Sequence, residues 1–249
     1  MAQFARDFTE YALGASIGAG VDDFTPHHDA IGYTTSIINT PYSPSGRGLS
    51  TQRSGFTGFA LWKFIGGPDS IAVGEAYNET FTITDAREGL ALFPASFIRT
   101  DLSPTTARLA GFGVAGGGTN MFPVARRYSN MTATLDLQNT SIPPLETYES
   151  AEDRYRVRCN KVQWSVAGGV ASIKVRTWWR ENPEPTGYDL EFSNTVFADT
   201  LGAAGFGRAQ ASNEQSVICF FGLGTDGDPA PMTAAAPERQ RSRLILTPW

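Results

Sequence analysis

Residues 155–192 read YRVRCNKVQWSVAGGVASIKVRTWWRENPEPTGYDLEF, and this stretch decides the fold. In Tyr155-Arg156-Val157-Arg158-Cys159 the odd positions are apolar or aromatic and the even ones are arginines. The alternation returns in Ile173-Lys174-Val175-Arg176-Thr177, and again in Tyr188-Asp189-Leu190-Glu191-Phe192 with acids on the charged side. Successive side chains of a strand point to opposite faces, so each segment offers one apolar and one charged face. The connecting runs Ala167-Gly168-Gly169 and Asn182-Pro183-Glu184-Pro185-Thr186-Gly187 are rich in chain-reversing residues. Three antiparallel strands follow, with a dry side and a wet side that carries Arg156, Arg158, Lys174 and Arg176.

Outward from this stretch, 26 glycines and 15 prolines are spread through 249 residues with little helical periodicity between them. That distribution predicts a β-sandwich or barrel. Strands are expected over 31–39, 56–65, 71–77, 79–84, 90–93, 107–113, 131–137, 155–166, 170–179, 188–193, 201–207 and 216–223. Residues 56–65 (FTGFALWKFI) are apolar on both faces and predict a mid-sheet position covered on both sides. Residues 39–54, 113–127 and 138–153 read as long loops, the class of segment that often carries function. His27 and His28 read as loop residues, since neighbours on a strand point apart and chelate no single ion.

A hydrophobic content of 41% supports a core, and a net charge of −5, from 20 basic and 25 acidic residues, argues against nucleic acid as a partner. No apolar run is long enough to span a bilayer, so no membrane insertion is expected. The start, MAQFARDFTEY, lacks a basic segment followed by an apolar one, so no secretory signal is expected, and the chain is expected to be made in a cytoplasm or to leave it by a route that needs no signal. Cys159 and Cys219 sit in predicted strands with apolar neighbours and read as buried free thiols. The sequons at Asn78, Asn130 and Asn139 read as coincidence without that signal.

The pattern resembles the concanavalin-like (laminin-G-type) jelly-roll modules of bacteriophage virion proteins. The resemblance rests on Arg6-Asp7-Phe8-Thr9-Glu10-Tyr11, on Tyr155-Arg156-Val157-Arg158 and on Lys174-Val175-Arg176-Thr177-Trp178. It continues through Pro183-Glu184-Pro185 before Tyr188, Gly202 to Gly207, and Phe221-Gly222-Leu223-Gly224-Thr225-Asp226-Gly227-Asp228-Pro229. It implies an all-β antiparallel jelly-roll sandwich with little helix, one domain over residues 1–229, and a linker with a C-terminal arm over 230–249. It further implies a virion structural protein, a tail-tip or fibre component aiding host attachment through surface glycan, or else a capsid decoration or head-fibre protein. Its partners would be other virion proteins and copies of itself. Leu244, Ile245, Leu246 and Trp249 of the arm either bury themselves on a neighbour or fold back on their own domain as a final strand.

Enzymatic chemistry is not expected, and the third alternative, from another class, is a glycan-degrading enzyme with an unrecognised site. Glycoside hydrolysis generally needs two carboxyl groups about 5–9.5 Å apart. The related glucanases carry Glu-x-Asp-x-x-Glu on one strand, and no such triplet occurs here. Asp189 and Glu191, opposite the arginines and Lys174, read as cross-strand charge pairs. No nucleophile elbow, phosphate loop or zinc-helix motif is present, and Gly116-Gly117-Gly118 follows no strand-to-helix context. No cofactor is expected beyond calcium at Asp226 and Asp228 or at Asp22 and Asp23, compact acidic pairs of the kind ordinary turns also use. Carbohydrate binding needs exposed rings with polar neighbours. Trp178, on the same face as Lys174 and Arg176, is one candidate platform, with Tyr42, Phe122 and Tyr128 from the loops as further candidates. A core or subunit-contact role fits Trp178 equally.

Overall fold

The computed structural model describes residues 2–28, 33–53, 58–68, 71–86, 95–99, 106–114, 120–129, 132–138, 146–147, 157–198, 201–210 and 215–232. These residues form strands β1 (Ala2–Arg6), β2 (Ser16–Ile17), β3 (Gly20–Val21), β4 (Phe24–His28), β5 (Tyr33–Asn39), β6 (Arg47–Arg53), β7 (Gly58–Phe64), β8 (Ile71–Ala72), β9 (Asn78–Ala86) and β10 (Ala95–Arg99). They continue with β11 (Thr106–Val114), β12 (Asn120–Ser129), β13 (Thr132–Gln138), β14 (Glu146–Thr147), β15 (Val157–Ala167), β16 (Val170–Trp179), β17 (Leu190–Asn194), β18 (Leu201–Gln210) and β19 (Ser216–Thr225). Among the described residues the helical content is a single 3₁₀ turn, Thr195–Phe197.

The expected class is what forms: an all-β sandwich whose sheets are antiparallel apart from one two-stranded parallel pair, β2–β3. One layer is an eight-stranded sheet in the order β17-β16-β15-β9-β19-β6-β5, with β1 also on β19. The other layer comprises a five-stranded sheet, β10-β18-β7-β4 with β8 on β18, and a four-stranded sheet, β11-β12-β13 with β14 on β12. Residues 56–65 deliver β7, which lies between β18 and β4, mid-sheet as their two-sided apolarity predicts.

Two apolar clusters fill the space between the layers. The first joins Ile37, Leu49, Ile218, Phe221 and Leu223 of the large sheet to Phe24, Trp62, Phe64 and Phe206 of the five-stranded one, with Phe8 and Tyr11 closing it. Phe24 stands at its centre, with ring centroids of Phe64, Phe206 and Phe221 at 5.3, 5.2 and 5.5 Å. The second cluster unites Val162, Trp164 and Val166 of β15, Ile173 and Val175 of β16, Leu190, Phe197 and Ala125. A third cluster lies on the opposite, outer face of the large sheet: Phe81, Ile83, Val157, Cys159, Val217, Cys219, Phe220 and Ala230. The large sheet is therefore covered on both faces over much of its area.

Several expectations are corrected by this double cover. The even positions of β15 were expected to face water, yet Arg158 lies on the inner face with Val162 and Trp164, and is 3% exposed. Val157 and Cys159 face outward into the third cluster. The apolar phase of β15 changes at Lys161, from odd positions before it to even positions after it. Residues 39–54 contain β6, residues 113–127 contain most of β12, and His27 and His28 lie at the end of β4 rather than in a loop. Both cysteines are free and buried, as expected.

The chain leaves β19 through a tight turn and runs back across the outer face as a strap, residues 226–232. Asp226 takes a positive φ of 56° and Gly227 one of 87°. The Asp226 amide donates to Asn78 Oδ1 (3.2 Å), that of Gly227 to the Tyr77 carbonyl (2.7 Å) and that of Ala230 to Glu79 Oε1 (2.9 Å). Gln3 Nε2 donates to the Pro229 carbonyl at 2.8 Å. A Cβ built on Gly222 would collide with the Pro231 carbonyl oxygen, and one on Gly224 with that of Asp228, so these glycines form the groove in which the strap lies. The arm residues Leu244, Ile245, Leu246 and Trp249 fall outside the described residues, as do 139–145 and 148–156 of the third expected loop.

Candidate functional site

The outer face near β16 brings together part of the expected set. Lys174, Arg176 and Trp178 share this face, because Ala171, Ile173, Val175 and Thr177 of the same strand are buried inward. Tyr188 lies beneath the two cations, with Arg176 Cζ 4.2 Å and Lys174 Nζ 5.3 Å from its ring centroid. Lys174 pairs with Glu191 at 3.1 Å, the cross-strand pairing expected from the sequence. Arg176 Nη1 reaches Glu184 at 3.0 Å and donates to the Pro185 carbonyl at 2.7 Å, which folds the turn 182–187 down against the strand. Behind it, Lys161 contacts Glu184 at 2.7 Å and Glu79 at 3.7 Å, and Gln163 Nε2 donates to Glu79 Oε2 at 2.7 Å. Arg176 is thus occupied in fixing the turn, and Lys174 in pairing β16 with β17 through Glu191.

The fixed turn closes one wall of a cavity of about 280 Å³ lined by Arg158, Thr177, Trp178, Trp179, Asn182, Pro183, Pro185 and Asp189. Adjacent residues of one strand reach it from opposite faces because it opens at the end of β16. Trp178 stacks on Phe81, centroids 5.8 Å apart and planes 28° from parallel, and packs on the third cluster. It is therefore both a core residue and a cavity wall. Trp179 holds the Arg158 guanidinium over its ring at 4.0 Å. Burial pushes the Arg158 guanidinium down to about 9, because a charge removed from water loses its hydration. The Asp189 carboxylate accepts the Thr177 amide at 2.7 Å, and burial, the largest influence on it, pushes its pKa up.

The other expected residues lie elsewhere. Tyr42 packs on the third cluster beside Trp178, and its carbonyl accepts Arg180 Nη1 at 2.7 Å, but it does not line the cavity. Phe122 and Tyr128, expected in a loop, belong to β12, with backbones opposite Gly113 and Ala107 of β11; their side chains are outside the described set. Asp226 belongs to the turn that launches the strap, and Asp228 closes it by donating its amide to the Thr225 carbonyl at 3.1 Å. Asp23 is engaged by Arg6 at 2.7 and 3.0 Å and by the Tyr11 hydroxyl. Among the described residues no group of three or more His, Cys, Asp or Glu is arranged to hold a metal ion. The sequence reading missed Arg158, Trp179, Asn182 and Asp189 as cavity residues. The usable signal was the phase change in β15, which brings Arg158 to the inner face.

No family model and no curated protein matches this sequence. Among solved structures the chain is similar to a carbohydrate esterase from Shiga toxin-encoding bacteriophage phi24B, with 7% identity and a TM-score of 0.50 over 87% of this chain and 99% of that one. It is also similar to lectin I from Ulex europaeus in complex with a methyl glycoside of α-L-fucose, with 8% identity, a TM-score of 0.45 and coverage of 89% and 96%. Basic winged bean lectin with Tn-antigen gives 10% identity, a TM-score of 0.43 and coverage of 91% and 100%. The esterase likeness is one of fold. The two lectin superpositions are too loose to carry an argument about this chain.

Proposed function

We propose that this chain is a non-enzymatic glycan-binding module carried at the surface of a phage particle, in a tail-tip or fibre position that contributes to host attachment. The observation that carries the binding half is the cavity itself: two indoles beside an arginine, an amide, a hydroxyl and a carboxylate. Sugars present apolar C–H faces to aromatic rings and hydroxyls to polar groups, and a cavity of this size lies at the small end of ligand sites. Asp189 is the one carboxylic acid lining the cavity, whereas glycoside hydrolysis generally uses two. The particle setting is supported by the virion-module resemblance of the sequence and by a fold shared with a bacteriophage protein.

A glycan array tests the reading with wild type, Trp178→Ala and Asn182→Ala. Asn182 is exposed, so its variant leaves the core packing of Trp178 intact. Wild type should bind, and both variants should bind more weakly with unchanged circular dichroism. A silent wild type, or full binding by both variants, overturns the reading. New reducing ends released from a bound polysaccharide would overturn its non-enzymatic part.

A further inference from the structure

On the outer face of the large sheet, a row of buried charges runs from the strap to the wall of the cavity. Gly224 pairs in register with Glu79 and Gly222 with Phe81, so the two glycines that admit the strap stand beside those side chains. β15 carries the rows onward, with Gln163 opposite Glu79 and Lys161 opposite Phe81, and β16 sets Arg176 opposite Lys161. The strap lies where side chains of β19 would otherwise stand, and so becomes a lateral neighbour of Glu79.

Glu79 is 2% exposed and Lys161 6%. A carboxylate so deeply buried needs donors to offset its lost hydration. The Ala230 amide donates to its Oε1 at 2.9 Å and Gln163 Nε2 to its Oε2 at 2.7 Å, while Lys161 Nζ stands 3.7 Å from Oε1. Lys161 Nζ is closer to Glu184 Oε1, at 2.7 Å, and Met232 Sδ of the strap lies 3.8 Å away. Arg176 Nη1 meets the same Glu184 oxygen at 3.0 Å. Charges alternate through Glu79, Lys161, Glu184 and Arg176, with Lys161 between one carboxylate under the strap and another in the turn. That turn supplies Asn182, Pro183 and Pro185 to the cavity.

The seated strap meets part of the demand of Glu79 and leaves Lys161 to the turn. With the Ala230 amide withdrawn, Glu79 Oε1 loses a donor, and the ammonium 3.7 Å away is within reach. An under-paired buried carboxylate costs more than a weakened pair at Glu184, whose side chain is 26% exposed. We infer that the strap governs the order of the cavity wall through Lys161. Seated, it lets Lys161 hold the turn 182–187; displaced, it draws Lys161 to Glu79 and loosens that turn. A pull on the chain beyond residue 232 passes through Met232 and Ala230 before any other part of this row. The coupling is a property of the wall, whatever ligand the cavity takes.

Native-state hydrogen exchange on the full chain tests it, read by NMR at two amides that bracket the turn. The Asn182 amide donates to the Trp179 carbonyl and the Asp189 amide to the Val175 carbonyl, each at 2.9 Å. Gly224→Val, which pushes on the strap, should speed both by at least about tenfold beyond the change shared by the slowest sheet amides. Those slowest amides report global opening and remove the general loss of stability from the comparison. Lys161→Met keeps the aliphatic stem and removes the ammonium. In that background Gly224→Val should add less than about twofold, because the connection is already cut. If Gly224→Val does not fold, Ala230→Pro, which deletes the amide donated to Glu79, replaces it with the same expected results. No local excess at Asn182 and Asp189, or an equal excess with and without Lys161, overturns the inference.

Discussion

Arg158 shows how a residue's role escapes its local pattern. Alternation assigns it to the opposite face from Val157 and Cys159, and that assignment is correct. Which face meets water is a property of what lies above and below the sheet, and here both faces are covered. Arg6 is the converse case, a charged residue near the N-terminus whose partner, Asp23, lies 17 positions away and was legible only as half of an acidic pair. The Arg6 hydrogen bonds, the largest influence, hold Asp23 below its ordinary value of 3.8, against the opposing effect of burial. A carboxylate with a depressed folded pKa lends stability that is present above its unfolded pKa and is lost as pH falls through the folded value. Glu10 has a raised pKa, chiefly from burial, and so contributes in the opposite sense, favouring the fold below its ordinary pKa and losing that contribution as pH rises through the raised value. Asp23→Asn should therefore lower the urea midpoint near about pH 6 and lower it much less near about pH 3. A deficit independent of pH would refute the assignment of the depressed pKa to Asp23.

At the scale of elements, strands with strong alternation or continuous apolar runs were legible: β7, β15, β16 and β19 lie close to where the sequence places them. The missed strands are those whose composition resembles loops. β6 (RGLSTQR) has one large apolar residue, Leu49, and β12 (NMFPVARRYS) contains a proline. Both are fixed by pairing rather than by intrinsic preference, since strand propensity depends on the neighbours a residue packs against. The strap was legible only as a cluster of turn residues. Its role follows from β19, where all ten residues are buried and Gly222 and Gly224 replace side chains with room for another backbone. Gly224→Val should destabilise the fold by about 1–3 kcal/mol, because the added atoms meet the strap's main chain rather than a movable side chain. The same variant should render Cys159 and Cys219 reactive toward a thiol reagent under native conditions, since Ala230 of the strap packs in their cluster. Burial also pushes the Cys159 thiol up to about 12, which keeps it inert while covered. Thiols as protected in the variant as in wild type would show that the strap does not seal this cluster.

Over the whole molecule, the two inner apolar clusters are separated by a polar strip. Thr80, Thr82 and Thr84 of β9 face inward with Arg158 and Asn160 of β15 and Thr177 of β16, while Phe81 and Ile83 of the same β9 face the outer cluster. Alternation in Thr-Phe-Thr-Ile-Thr separates the threonines from the phenylalanine and isoleucine but does not say which set meets the second layer. The two-layer packing decides it, since β10 and β11 cover the strip where it crosses β9 and β15. The strip leads toward the cavity at Arg158 and Thr177, so the site's polar groups belong to a band built into the sheet and not to surface decoration. Such a band costs stability where its hydroxyls find no partner, and the Oγ1 atoms of Thr80 and Thr84 accept and donate no hydrogen bond in the structure. An unsatisfied buried polar group costs about 1–3 kcal/mol, and valine keeps the shape of threonine while removing the hydroxyl. Thr80→Val and Thr84→Val should each raise unfolding stability by about 1 kcal/mol, read as a shift of the denaturant midpoint at unchanged m-value. Thr84 stands beside Arg158 in register and Thr80 does not, so only Thr84→Val should also alter glycan affinity. Destabilisation by either substitution would mean that the hydroxyl is satisfied, most simply by buried water, and that the strip is hydrated rather than dry.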